Sequence, residues 1–269
     1  MRIRHLLLVF LVASVTAGPA MAASKEENRV NDATDIVDQL LRIPEQGVPP
    51  ALLSRAYAIA VIPRVIKVGF GLGARHGKGV MVVRQDDNTW SNPAFIRLTG
   101  GSFGFQAGAQ STDVILVFKT RSSVDGITQG KLTLGADASI AAGPVGRSAG
   151  AHTDVTFKSE VYSYSRSRGL FAGVALEGAG VTMDRKANAA FYGSAQITPE
   201  QIFAGSGNAA PQAANNFVQV LSAQTQQLPM RPAAAANASG QHNRQPQNEE
   251  VSEVRTFGMA TNPEDQPRD

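Results

Sequence analysis

The chain contains no cysteine, so disulfide staples, thiolate nucleophiles, zinc–thiolate centres and lipidation through a cysteine are excluded. Histidine is scarce as well: beyond Ala22 only His76, His152 and His242 could act as a base or a metal ligand. Aromatic residues make up 6% of the sequence. Beyond Ala22 no apolar run reaches the ~18 residues that a membrane-spanning helix requires. A dense basic patch is also missing. Residues 24–44 carry three Lys/Arg against five Asp/Glu, residues 45–228 carry sixteen against eleven, and residues 229–269 carry four against six. A moderately basic centre between two acidic flanks favours anionic partners but lacks the footprint of a nucleic-acid binder.

What the chain has in excess is glycine, with 26 residues concentrated between Gly69 and Gly207. Glycine this dense marks bends, bulges and close backbone approach rather than a large side-chain core. The first residues have a separate logic. Met1 to His5 is basic, Leu6 to Val15 is apolar, and Ala20-Met21-Ala22 fits a small-x-small cleavage site. The pattern predicts a signal peptide (1–22) cleaved after Ala22, and hence a periplasmic or secreted protein.

Along the rest of the chain, Val30, Ala33, Ile36, Val37, Leu40 and Leu41 recur at helical spacing, which predicts an amphipathic helix over 25–42. Its polar face is acidic, unlike that of a helix lying on a membrane, so packing on its own domain is expected. A short helix follows over 50–55. Ala58 to Ile62 reads as a buried strand ended by Pro63, and 64–74 as a second extended run. Gly77-Lys78-Gly79 reads as a turn before Val80 to Val83, and Asp86-Asp87-Asn88 as the next turn. Residues 95–110 and 113–119 suggest further strands, 121–130 a short helix or turn, and 155–164 alternates as a strand should. Leu170 to Val181 reads as a glycine-bent core strand. Short helices are expected over 185–191 and 198–203, with Thr198 as cap and Pro199 in the first turn, and a last helix within 209–227. Residues 229–269, rich in Pro, Ala, Asn and Gln, read as a disordered tail.

The expected fold class is therefore α+β and β-rich. It is a curved, mostly antiparallel, glycine-rich sheet or partly closed barrel, with an N-terminal amphipathic helix and short C-terminal helices. One domain spans 23–228, with its core over about 30–205.

The catalytic motifs fail on context. Gly100-Gly101-Ser102-Phe103-Gly104 matches G-x-S-x-G, but a nucleophile elbow needs a helix after the serine, and Phe105 to Ala109 is poor helix material. Gly69-x-Gly71-x-x-Ala74 resembles a dinucleotide fingerprint without the helix that would hold the phosphate. His152-Thr153-Asp154 offers two metal ligands and no third. No catalytic residue, metal site or cofactor is expected. What remains is basic residues beside glycine-rich apolar segments: Arg64 and Lys67, Arg75 and Lys78, Arg166 and Arg168, and Arg185 with Lys186. Such cations can hold a lipid phosphate while apolar neighbours meet acyl chains.

Three blocks resemble the SYLF lipid-binding domain family: Ala58 to Pro63 leading into Lys67-Val68-Gly69-Phe70-Gly71 and Gly77-Lys78-Gly79-Val80; Gly104 to Asp113 followed by Val114 to Phe118; and Tyr164 to Gly178. The resemblance implies a lipid-binding module. It is described for phosphoinositides in eukaryotic members, some of which also bind actin, and it has secreted bacterial members. An exported chain meets neither phosphoinositides nor actin, so the expected ligand is an anionic phospholipid of the cell envelope, or its membrane surface. Arg64, Lys67, Arg75, Lys78, Arg166 and Arg168 would supply the charge. The alternative is a structural or interaction protein of the envelope that recruits a protein partner through its tail or its acidic helix.

Overall fold

A computed structural model describes residues 23–42, 47–145, 157–167, 170–206 and 209–225. The predicted signal peptide, His152-Thr153-Asp154, Arg168 and the tail lie outside them.

Helix α1 (Lys25–Arg42) starts where the sequence places it. Ser24 and Glu27 form a reciprocal cap: the Glu27 N–H donates to Ser24 Oγ (3.1 Å) and the Ser24 N–H to Glu27 Oε2 (2.7 Å). Val30, Ala33, Ile36, Val37 and Leu40 are all buried, and full burial stabilises by roughly 1.5–3 kcal/mol for each of the larger side chains. After α2 (Pro50–Leu53) the chain enters two very long strands, β1 (Ala58–Val83) and β2 (Ala94–Phe118), paired antiparallel along almost their whole length. Then come α3 (Arg121–Gln129), β3 (Lys131–Thr133), β4 (Ile140–Ala142), β5 (Val161–Ser167), β6 (Leu170–Gly173), β7 (Gly180–Met183), α4 (Arg185–Tyr192), α5 (Pro199–Phe203) and α6 (Gln212–Thr225). The sheet order is β3-β7-β2-β5-β4, with β1 on β2 and β6 on β5. All pairings are antiparallel except β4 with β5. The expected β-rich, curled α+β class is observed.

The two long strands are too long for a flat sheet, and they fold over on themselves. β2 pairs with β7 through Ile96–Thr99 and with β5 through Asp113–Phe118, so its two halves belong to different parts of the sheet. Alternation divides the side chains between two cores. Ala58, Ala60, Ile62, Met81, Val83, Ile96, Leu98, Val114, Leu116 and Phe118 fill the inside of the fold-over, closed by Val124, Ile127, Leu132 and Val181. Ile59, Val61, Val80, Val82, Phe95, Ile115 and Val117 face the other way, onto α1, α4 and α6. The one tryptophan joins these layers: Trp90 Nε1 donates to Thr225 Oγ1 at the end of α6 (2.9 Å), and the Arg84 guanidinium lies 4.6 Å from the Trp90 ring centroid.

Three expectations are corrected. Pro63 does not end a strand; β1 runs through it. Between Ile62↔Val114 and Val65↔Thr112 β1 carries one extra residue, a bulge in which a proline without an N–H costs no ladder bond. Arg64, at φ 50°, donates its N–H to Asp113 Oδ1 (3.0 Å) instead. Second, Gly77-Lys78-Gly79 is not a turn but strand, opposite Leu98, Arg97 and Ile96. Here glycine provides close approach: a methyl on Gly79 would come within 2.7 Å of Ile62 Cα, and one on Gly77 within 2.7 Å of Ile62 Cγ2 and Val65 Cγ2. Residues 77–79 and 61–65 of the same strand are thus in contact across the fold-over. Third, 170–181 is two strands, not one: β6 pairs with β5 and β7 with β2 and β3. Leu170 is exposed and Val181 buried. The remaining helices match, including the Thr198–Gln201 capping box of α5 with Pro199 in its first turn.

Gly79→Ala is expected to lower stability by at least ~2 kcal/mol, because the added methyl meets backbone that cannot yield. In a chain of this size that is a fall in melting temperature of about 5 °C or more. Gly101→Ala, where a methyl would meet nothing within 4 Å, should shift it little. Thermal denaturation of the two variants checks the fold-over directly.

Candidate functional site

The fold-over brings the Pro63–Arg64 bulge beside His76, Gly77 and Lys78. The first turns of α1 cover this crossing with Lys25, Asn28 and Arg29, and β2 contributes Ala109, Gln110 and Ser111. Together with Ile66 they line a cleft of about 900 Å³. Lys25, Arg29, Arg64 and Lys78 are cations, His76 adds an imidazole, and none of the described lining residues is acidic. Ile66 and Val68 stand on one face of β1 and are 51% and 46% exposed, so the basic cleft has an apolar lip.

The cations are held differently. Arg64 is exposed and pairs with Asp32 of α1 (2.5 Å). Lys78 sits opposite Arg97 on β2, whose Nη2 bonds the buried Asp184 Oδ1 at 2.5 Å. Burial pushes the Asp184 carboxyl up. The Arg97 hydrogen bond, the Ala187 N–H and the charges of Arg97 and Lys78 outweigh it and hold the group below its ordinary range. Arg97 is correspondingly raised by its hydrogen bond to Asp184. Arg29 is the exception. It is buried, with 8% exposure, and its guanidinium lies 5.4 Å from the Phe95 ring centroid. Among the described residues its Nη1 has no hydrogen-bond partner and no carboxylate pairs with it.

Of the residues proposed from sequence, Arg64 and Lys78 line the cleft. Lys67 is exposed one residue beyond Ile66, on the opposite face of the strand. Arg75 is half-buried and donates from Nη1 to the Ala175 carbonyl (3.2 Å); burial lowers its pKa, with Glu177 partly offsetting this. Arg166 is half-buried, bonded from Nη1 to Asp113 Oδ2 (3.1 Å) and from Nη2 to Gln39 Oε1 of α1. Asp113 therefore holds the bulge with one oxygen and Arg166 with the other. Sequence reading missed Lys25, Arg29 and His76. The available signal was Lys25 and Arg29 at i and i+4 in the opening turns of an otherwise acidic helix, with Arg29 next to the buried Val30. Ser102 of the G-x-S-x-G match lies within β2 opposite Gly73, with strand on both sides and no helix to make an elbow. The dinucleotide-like run 69–74 is likewise strand throughout.

Residues 99–224 match the family model described as Ysc84, Las17-binding protein actin regulator. LAS seventeen-binding protein 3 of Saccharomyces cerevisiae is 39% identical over 164 residues, which is 60% of this chain and 35% of that protein. Protein YSC84 of the same yeast is 38% identical over 180 residues, 66% of this chain and 38% of that protein. SH3 domain-containing YSC84-like protein 1 of Homo sapiens is 35% identical over 150 residues, 55% and 44% respectively. The matched part of the chain thus spans between about a third and a half of the length of these relatives.

A carboxyl whose pKa is lowered on folding adds stability at neutral pH that is lost as pH falls through the folded value. Asp184 should therefore stabilise fully above its ordinary pKa near 3.8 and progressively less below it. Asp184→Asn keeps an acceptor but not the charge, and should cost about 2 kcal/mol at pH 7. Chemical denaturation across pH should show the gap between wild type and variant closing below about pH 4.

Proposed function

Because the chain belongs to the Ysc84/SYLF domain family, we propose that it is a non-enzymatic lipid-binding protein of the cell envelope that takes anionic phospholipid headgroups in the cleft at the start of α1. The observation that carries this reading is the cleft itself: four cations and a histidine around a space without a lining carboxylate, edged by exposed Ile66 and Val68. Cations hold phosphate while apolar side chains at the rim enter the acyl boundary, and each cation near an anionic surface contributes about 1 kcal/mol. The basic and apolar run at 1–22 supports export, which makes envelope phospholipid the available ligand. Arg64 and Lys78 keep the role expected from sequence, joined by Lys25 and Arg29. Exposed Lys67 is free to add peripheral charge. α1 remains docked through its apolar face and contributes only its first turns to the lipid.

A second reading has its own support. One relative is named for binding LAS seventeen, a protein partner, and a protein-binding role through the acidic face of α1 or through 229–269 would suit an envelope adaptor. In-cell cross-linking of the whole chain, with and without 229–269, separates the two: a contact that disappears with that segment favours the adaptor.

In vesicle co-sedimentation the full chain should bind phosphatidylglycerol-containing vesicles and ignore pure phosphatidylcholine. Reversing two cleft charges in Lys25→Glu with Lys78→Glu should weaken binding at least ~10-fold. Indifference to lipid charge, or an unchanged double variant, would count against the reading.

A further inference from the structure

Resting on the cleft as the ligand site, we infer that it is a phosphomonoester site, with Arg29 selecting a terminal phosphate over a phosphodiester. A buried guanidinium without a carboxylate is costly, and an orphaned buried N–H calls for a reason. The guanidinium carbon lies 5.4 Å from the Phe95 ring centroid, a cation–π contact that leaves Nη1 without a hydrogen-bond partner. A phosphate oxygen entering the cleft would complete it, in the two-pronged geometry that guanidinium offers to phosphate.

The charge balance decides which phosphate. Lys25, Arg29, Arg64 and Lys78 line the cleft. Arg64 is offset by Asp32, and Asp184 is taken up by Arg97, which leaves Lys25, Arg29 and Lys78. A diester with one negative charge leaves a surplus of cation beside the buried Arg29. A phosphomonoester carries about −1.5 to −2 and offsets about twice as much of it. The cleft is too large for bare phosphate, and Ile66 and Val68 at its edge suit the organic part of an ester. The ligand class is an organic phosphomonoester, supplied either by a lipid such as phosphatidic acid or by a small soluble ester.

The test uses the full chain and its Arg29→Met variant, which keeps the apolar reach and removes the charge. Affinity is measured for phosphatidic acid and phosphatidylglycerol vesicles at matched surface charge, and for glycerol 3-phosphate in solution. Wild type should favour phosphatidic acid about 10-fold, and Arg29→Met should lose that preference while its melting temperature holds or rises, since an unpaired buried charge has gone. Binding of glycerol 3-phosphate that depends on Arg29, without any vesicle binding, supports the site and assigns it to a soluble ester; the phospholipid reading then fails alone. Equal affinity for the two lipids together with no binding of glycerol 3-phosphate overturns the inference, as does a preference that survives in Arg29→Met. A variant that folds but melts well below wild type assigns Arg29 a structural role and also counts against it. Should Arg29→Met not fold, Arg29→Lys and Lys78→Gln take its place, each expected to reduce the preference about threefold or more, and an unchanged preference in both overturns the proposal.

Discussion

The structure depends on one close approach, that of residues 77–79 to residues 61–65 of the same strand. A 26-residue strand paired with a 25-residue one cannot bury both faces as a flat ribbon. Folded across its glycine-rich middle, the hairpin buries one face inside itself and offers the other to the helices. Gly77 and Gly79 permit this because any side chain there would strike Ile62, Val65 or the Val61–Ile62 backbone. The bulge at Pro63–Arg64 adds the local twist that long antiparallel strands need to coil. Asp113 then secures the bulge and ties it through Arg166 to Gln39 of α1.

The cleft is a by-product of that crossing. Where the strand passes over itself, the bulge and 76–78 leave a hollow that the first turns of α1 cover incompletely. Three arginines packed around the crossing are neutralised close by: Arg97 by Asp184, Arg166 by Asp113, Arg64 by Asp32. Arg29 is not, and it is the most buried of the cations lining the cleft. Interior charge left unmatched in this way is destabilising by itself, which is why it points to a ligand. The acidic polar face of α1 serves a different purpose, since Asp32 and Gln39 on it grip the sheet through Arg64 and Arg166.

Much of this was legible in the chain. Helical spacing located α1, the Thr198 cap with Pro199 located α5, and glycine density announced a curled sheet. The strands at 58–62 and 113–118 were readable as short apolar runs because residues on both of their faces are buried, in one core or the other. The sequence was misread where local rules met a long-range contact. Pro63 and Gly77–Gly79 are strand breakers by composition, yet one sits in a bulge and the others at a crossing with residues some fifteen positions earlier, a contact that no local window contains. The site suffered in the same way. Arg64 and Lys78 were found because they flank glycine-rich apolar runs, whereas Arg166 fits that description equally well and is bound to Asp113. Lys25 and Arg29 belong to a helix whose composition is acidic, and only its docking sets them over the crossing.

Hydrogen–deuterium exchange of the full chain, with and without anionic vesicles, tests the central claim most directly. If the α1 end of the strand crossing receives the headgroup, protection should appear in 25–29, 63–68 and 76–78 and leave α4 and α6 unchanged. Protection confined to α4 and α6, or none at the crossing while the chain sediments with the vesicles, would contradict the account.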